Sequence, residues 1–166
     1  MVYDVKINRE PMFALFDIKG PKSDVKTLLT SMFDQIPQEP NTLVSRQNKT
    51  LMFIGSEHWI LRASAEEEAL IRSQLDPDLV PSSVSVVLVS DSFTFFSIKG
   101  VNAKDVIEIS SPLDFDLSIF TENYVTFSEV FGIKALIKRR ANGFEFGVDQ
   151  SFGNMIDDYF ARALKE

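Results

Sequence analysis

The side chains that could perform nucleophilic or metal-assisted chemistry are few and scattered in this sequence. The single histidine, His58, precedes Trp59 at the start of a predicted strand, and no serine lies in the G-x-S-x-G pattern of a hydrolase nucleophile. The absence of cysteine excludes disulfides, thiolate zinc sites and cysteine nucleophiles. Carboxylates remain as possible metal ligands, but none lies in a calcium-binding loop pattern. We therefore predict no catalytic and no metal-binding residue.

Paired carboxylates are the remaining arrangement that could support general acid–base chemistry. Asp114 and Asp116 in the segment PLDFDLSIF would point to the same side of an extended chain, but solvation in a loop is the default interpretation of this pair. Asp157 and Asp158 lie on a helix whose other face is apolar, so a solvated face is expected there. The glutamates at 66–68 crowd a helix N-terminus, where negative charge is favourable without any chemistry.

The elements that would position these side chains are organised as a repeat. FALFDIKG at residues 13–20 recurs as FTFFSIKG at residues 93–100, with five of the eight positions identical. Each octet is typical of a core strand whose terminal glycine permits a tight turn into the following helix. A phosphate-binding loop is not indicated, because a lone glycine lacks the spacing of the nucleotide-binding motifs.

Apolar periodicity predicts a helix after each octet and another at the end of each half. Residues 21–34 carry apolar side chains at helical spacing, and residues 101–110 repeat the pattern more briefly. Ser64 and Glu67 form a capping-box pattern that starts a helix reaching about Leu75. The last helix follows an amphipathic stripe from 152 to 164.

Strands precede and follow the first helix of each half. YDVKI and VSVVLV lie before the two octets, and KTLMFIG (49–55) and IKALIKR (133–139) are rich in branched and aromatic residues. Asn142-Gly143 is the pair favoured in a two-residue primed turn, which predicts a hairpin there. In the first half, His58 begins the corresponding returning strand.

Together these elements predict an α+β fold made of two similar β-β-α-β-β-α halves, residues 1–80 and 81–166. The sheets are expected to be mostly antiparallel, with helices on the outside. Each half would expose an apolar sheet face, so we expect the two to pack around a pseudo-twofold axis as one compact duplicated domain.

Composition narrows the class of protein further. The formal net charge of −7 disfavours nucleic acid as a partner, because a polyanion would be repelled. No window approaches the ~20 apolar residues of a membrane span, and the N-terminus lacks the pattern of a secretory signal. We expect a cytoplasmic protein without membrane contact. Fifteen phenylalanines require a large core or an interface.

The second half, over residues 84–164, resembles the gamma subunit family of bacterial heterotetrameric sarcosine oxidase. The resemblance rests on four features. These are the SIKG turn, the run DVIEISSPLDFDL in which a short helix ends in a serine and leucine-aspartate segment, the Asn142-Gly143 hairpin, and Ser151-Phe152 at the start of the last helix. It implies a fold like the folate-binding domain of aminomethyltransferases. It also implies a non-catalytic part in an enzyme complex that oxidises N-methylglycine to glycine, transfers the one-carbon unit to tetrahydrofolate and produces hydrogen peroxide.

The same resemblance implies the partners and cofactors. The partners would be the larger subunits, alpha with beta and delta, and these would hold FAD, FMN, NAD and tetrahydrofolate, with no cofactor on this chain. Five aromatic side chains are candidate partner contacts and are equally plausible as core: Phe115, Phe120, Tyr124, Phe127 and Phe131. The alternative hypothesis is a free-standing folate or one-carbon binding module, with Asp114 or Asp116 binding the pterin ring.

Overall fold

The computed structural model describes residues 3–165 and confirms the predicted fold class. Those residues form an α+β protein with two antiparallel five-stranded sheets and four α-helices. They divide into two compact units. The terminal unit comprises the described residues up to Pro11 and from Asp91 onward, and the central unit comprises Met12–Ser90. Over residues 3–165, no helix combines the length and the apolar character needed to cross a membrane.

The strands in chain order are β1 (Lys6–Arg9), β2 (Phe13–Lys19), β3 (Thr42–Arg46), β4 (Lys49–Gly55), β5 (His58–Ser64), β6 (Ser85–Leu88), β7 (Phe93–Lys99), β8 (Val125–Val130), β9 (Ile133–Arg140) and β10 (Gly143–Asp149). The α-helices are α1 (Lys22–Leu28), α2 (Glu68–Gln74), α3 (Ala103–Ser110) and α4 (Gly153–Ala163). Short 3₁₀ turns at Ala65–Glu67, Ser90–Ser92 and Gln150–Phe152 lead into α2, β7 and α4.

The central unit packs α1 and α2 against one face of a sheet with the order β3-β4-β5-β2-β6. Trp59 is fully buried at its centre and stacks on Phe53, with ring centroids 4.6 Å apart. Helix α1 ends at Leu28, earlier than predicted, and the chain continues in turns that still bury Met32 and Phe33. The apolar spacing therefore marked burial correctly beyond the end of the helix.

The start of α2 shows why the predicted capping box does not form. The Ser64 hydroxyl lies 3.4 Å from the Glu67 carboxylate and caps no backbone N–H group. Lys49 forms an ion pair with the same carboxylate, so the Glu67 side chain is bound to Lys49 and to the Ser64 hydroxyl. The helix itself is confirmed, because its end at Gln74 lies one residue from the predicted position.

The terminal unit repeats the same arrangement with the sheet order β1-β7-β10-β9-β8. Helices α3 and α4 cover one face, and phenylalanines dominate the core between helices and sheet. Phe96 stacks on Phe146 with centroids 5.3 Å apart, and Phe160 of α4 packs on Phe146 at 5.8 Å. Much of the aromatic excess is therefore used inside this unit.

The strand before each octet pairs with the other octet, which the sequence did not predict. β1 is antiparallel to β7, with Ile7 opposite Ile98, and β6 is antiparallel to β2, with Val86 opposite Ile18. The compact units therefore begin and end at 11/12 and 90/91. The 80/81 boundary stays a prediction about the repeat.

Each unit also contains one more strand than predicted, β3 and β8 respectively. Both are edge strands whose residues are mostly half-buried or exposed, and the two fully buried residues of β8, Val125 and Val130, lie at its ends. Neither strand therefore has a continuous apolar signal. The β9–β10 hairpin is confirmed, but the predicted turn centre is wrong. Arg140 pairs with Gly143, which centres the turn on Ala141 and Asn142. Gly143 is instead packed against β7, where a Cβ atom would lie 2.0 Å from the Ile98 carbonyl oxygen.

Candidate functional site

The two octets end at cavities in corresponding places of the two units. In the central unit a cavity of about 520 Å³ lies beside Lys19, Gly20 and the segment Ser82–Ser85, and we call it the serine cavity. In the terminal unit a cavity of about 760 Å³ lies beside Lys99, Gly100 and the start of α3, and we call it the basic cavity. Both volumes fall within the ~300–1,000 Å³ of small-molecule sites.

The serine cavity contains the single histidine. The His58 ring nitrogen Nε2 contacts the Asp17 carboxylate, and the Lys19 ammonium lies 3.4 Å from the same group. The Ser83 hydroxyl, which faces the cavity, donates to the Asp24 carboxylate. Because Ser83 is bound to Asp24, the contacts do not link a serine to His58 in a nucleophilic relay.

The basic cavity is formed where β7 ends, β10 begins and α3 starts. Its lining includes four cationic side chains, Lys6, Lys99, Lys104 and Arg139, and one carboxylate residue, Asp4. Lys104 lies 3.6 Å from Glu108 and 3.8 Å from Asp116. The sequence does not mark these residues as one set, because they lie on four separate segments that only the fold brings together.

The predicted carboxylate pair lies in an exposed loop and forms two successive turns. Asp114 accepts the Asp116 backbone N–H at 2.8 Å, and Asp116 accepts the Ser118 backbone N–H at 2.9 Å and its hydroxyl at 2.6 Å. The hydrogen bonds from Ser118 hold the pKa of Asp116 below its usual value. Neither residue lines the serine or the basic cavity. A carboxyl group that stays ionised is a poor general acid.

Replacing Ser118 by alanine is expected to raise the pKa of Asp116 toward its ordinary value, because two of its hydrogen bonds involve Ser118 and the larger contribution comes from the hydroxyl. A depressed folded-state pKa adds stability above the unfolded pKa, and that stability is lost as the pH falls through the folded value. The Ser118→Ala variant should therefore lose less stability than the unmodified chain as the pH falls through this range. Carbon-detected NMR titration of Asp116 measures the shift.

Ser151→Ala is the matched control. The Ser151 backbone N–H and hydroxyl both donate to Asp149 at the end of β10, and these two hydrogen bonds lower the pKa of Asp149. It should raise the pKa of Asp149 and leave that of Asp116 unchanged. An unchanged Asp116 pKa in Ser118→Ala would contradict the assignment of the shift to this turn.

Two of the five aromatic contact candidates lie in the core of the terminal unit. Phe115 and Phe120 are 0% and 3% exposed. The Phe115 ring meets Phe144 edge to face at 4.9 Å and Phe120 at 5.5 Å. Tyr124 packs on Phe120 at 5.7 Å and keeps 36% of its surface exposed.

The other two candidates lie elsewhere in the unit. Phe131 packs edge to face on Tyr159 and Phe160 of α4, at 5.2 and 4.9 Å. Phe127 lies on β8 beneath the ammonium of Lys134, 4.4 Å from the ring centroid. The five side chains therefore form no single surface. The loop between α3 and β8 exposes two aliphatic residues instead, Leu117 at 61% and Ile119 at 57%.

The fold is shared with a chain of a multi-subunit oxidase and with an aminomethyltransferase. A chain of the heterotetrameric sarcosine oxidase from Corynebacterium sp. U-96 aligns with a TM-score of 0.86 and 16% identity, over 97% of this chain and 84% of that one. Glycine cleavage system aminomethyltransferase T from Bartonella henselae gives a TM-score of 0.68 and 12% identity, over 96% of this chain and 46% of that one. The predicted resemblance is therefore confirmed for the fold.

A more distant similarity extends to the regulatory subunit of aspartate kinase from Thermus thermophilus. It has a TM-score of 0.53 and 10% identity, over 98% of this chain and 99% of that one. The sequence matches no family model and no curated protein. The similarity is thus expressed in strand order and packing far more than in residue identity.

Proposed function

We propose that this chain is a non-catalytic, gamma-type subunit of a sarcosine oxidase-type complex. The complex would oxidatively demethylate N-methylglycine to glycine and transfer the one-carbon unit to tetrahydrofolate. The observation that supports this is the alignment of nearly the whole chain with 84% of one chain of a heterotetrameric sarcosine oxidase. The same fold accounts for only 46% of aminomethyltransferase T, which favours a subunit over a complete transferase.

In this proposal the partners are larger alpha, beta and delta subunits that hold FAD, FMN, NAD and tetrahydrofolate. This chain would contribute contact surface. The loop at residues 111–124, which we call the contact loop, suits that role because it buries Phe115 and Phe120 and exposes Leu117 and Ile119. Exposed apolar side chains supported by buried aromatic ones are typical of a rigid interface patch.

The test is affinity purification of the tagged chain from its native host. We expect larger chains to co-purify with it and the purified material to show a flavin absorption spectrum. Mass spectrometry of those chains then shows whether they are sarcosine oxidase-type subunits, which decides the class of complex. The double variant Leu117→Glu with Ile119→Glu should remove them, because two carboxylates would be desolvated at the interface.

Leu70→Glu with Leu79→Glu in the central unit is the matched control, since these leucines are 57% and 66% exposed and lie outside the contact loop. It should retain the partners and the flavin. Purification of the unmodified chain alone, without flavin, would contradict the proposed function. Equal loss of partners in both double variants would contradict the assignment to the contact loop.

The second candidate function is a free-standing folate or one-carbon binding module. The fold similarity to aminomethyltransferase T favours it. Because Asp114 and Asp116 line neither cavity, a folate bound by them would have to occupy the exposed contact loop. A folate at 100 times its dissociation constant should stabilise the isolated chain by about 2.7 kcal/mol. A melting temperature unchanged by folates would leave only the subunit proposal.

A further inference from the structure

The basic cavity contains an unfavourable arrangement of like charges. Lys6 of β1 and Lys99 of β7 are directly opposite residues of an antiparallel pair. Like charges at such positions destabilise a sheet. Among residues 3–165, neither ammonium group has a carboxylate partner in an ion pair. Two neighbouring positive charges are therefore kept without an ion-pair partner, although the Asp4 residue lines the same cavity.

Arg139 adds a third positive charge that is held in place by neutral groups. Its guanidinium donates to the Phe120 carbonyl at 2.5 Å and to the Phe115 carbonyl, and its carbon Cζ lies 4.8 Å from the Phe144 ring centroid. These contacts fix the orientation of the guanidinium. Because the partners are uncharged, they do not neutralise its positive charge. A preorganised cation loses less entropy when a ligand binds.

The start of α3 contributes to the same cavity. Ala103 and Lys104 line it, and Asn102 caps none of the free N–H groups of the helix. The Asn102 side chain instead accepts from the Asp4 backbone N–H at 3.0 Å and donates to Asp105 at 2.8 Å. The Ala103 N–H donates to the Gly100 carbonyl at 3.2 Å, but Asn102 caps none of the N–H groups that follow it. Uncapped N–H groups at a helix N-terminus favour a negative ligand, which agrees with the three cations.

The serine cavity shows that this charge is specific to one unit. Lys19 precedes the terminal glycine of the first octet as Lys99 does in the second. The β6 residue opposite Lys19 is Ser85, where β1 of the other unit has Lys6. Asp17 lies 3.4 Å from Lys19, so the charge there is balanced. The repeat therefore explains the cavity, but it does not explain the concentration of cations in a chain of net charge −7.

We propose that the basic cavity binds a small multivalent oxyanion through Lys6, Lys99 and Arg139. Phosphate and carboxylate groups share the chemistry that ammonium and guanidinium groups recognise. A bound anion would lie between the opposed lysines and neutralise them. The inference goes beyond the proposed function, because the site is complete within this chain.

The test is a titration of the full isolated chain followed by backbone amide NMR, with pyrophosphate in one arm and citrate in the other. We expect saturable shifts of the amide signals of Gly100, Ala103 and Gly143 with the anion that binds. Tighter binding of pyrophosphate would indicate a phosphorylated ligand, and tighter binding of citrate would indicate a polycarboxylate. Lys99→Gln should weaken that affinity at least about tenfold, which corresponds to one lost charge-assisted contact.

A second readout of the same variant separates binding from general damage. Lys99→Gln should melt at a higher temperature than the unmodified chain without anion, since it removes the repulsion with Lys6, and should be stabilised less when anion is added. Lys19→Gln is the matched control at the corresponding octet position and should leave the affinity unchanged. Equal weakening by both variants, shifts spread over both units, or no saturation with either anion would overturn the proposal.

Discussion

The isolated chain is expected to lose about 3–5 kcal/mol of its unfolding free energy when Phe115 is replaced by alanine. Phe115 is fully buried, and its ring packs edge to face on Phe144 and Phe120. The Phe115 carbonyl also accepts a hydrogen bond from Arg139, which fixes the backbone around the space that the ring would vacate. The void therefore cannot close by a small movement. Equilibrium urea denaturation measures the loss.

Tyr124→Ala is the matched control, because this ring packs on Phe120 and remains 36% exposed. It should cost no more than ~1 kcal/mol. The comparison also separates the two roles that the sequence left open for Phe115. If Phe115→Ala unfolded like the unmodified chain but lost its partner subunits, Phe115 would be an interface residue and the core assignment would fail.

The aromatic segment shows how far burial in and around the proposed contact loop could be predicted from the sequence. The high phenylalanine content indicated a large core or an interface, and the five aromatic residues between 115 and 131 were left as candidates for either. Which side chains turn inward could not be read there, because the loop between α3 and β8 has no regular period. As a result the sequence did not show that Phe115 is buried while its neighbours Leu117 and Ile119 are exposed.

In the rest of the fold, too, the elements with a local sequence signal were predicted and the long-range pairings were not. α3 and α4 were predicted because each has an apolar helical period that matches its buried face. β4 was predicted from its branched and aromatic residues, and β5 as the strand that returns from it. The pairing of β1 with β7 joins residues 87 to 93 positions apart, and the pairing of β6 with β2 joins residues 66 to 72 positions apart. Alternation within one strand does not encode such distant contacts. The repeat was visible in the sequence, but the exchange of strands within it was not.

The glycine at the end of each octet explains how the sequence permits this exchange of strands. Its replacement is the second change that we expect to lower stability strongly. The sequence explained Gly100 by the turn into α3, but its surroundings show a further constraint. A Cβ atom at Gly100 would lie 2.3 Å from the Asp4 carbonyl oxygen and 2.9 Å from the Val5 Cα atom, and its φ is +134°. Gly20 has the same role beside Ser83, where the corresponding distance is 2.8 Å. In each unit the glycine admits the chain that leads into the exchanged strand.

Replacing Gly100 by alanine is therefore expected to cost at least about 3 kcal/mol of unfolding free energy, since backbone strain and overpacking act together. The amide NMR signals of Asp4 and Val5 should shift as β1 is displaced from β7. Gly20→Ala should cost less, about 2 kcal/mol, because its contacts are longer and one of them is to a side chain.

Gly55→Ala is the control for the loss of glycine as such. Its added Cβ would meet no atom within 4 Å, so the change should stay within ~0.5 kcal/mol. If Gly100→Ala were as stable as Gly55→Ala, the close approach of β1 would not constrain this position. The octet glycines would then serve only the turn, and the repeat would carry no information about which strands pair.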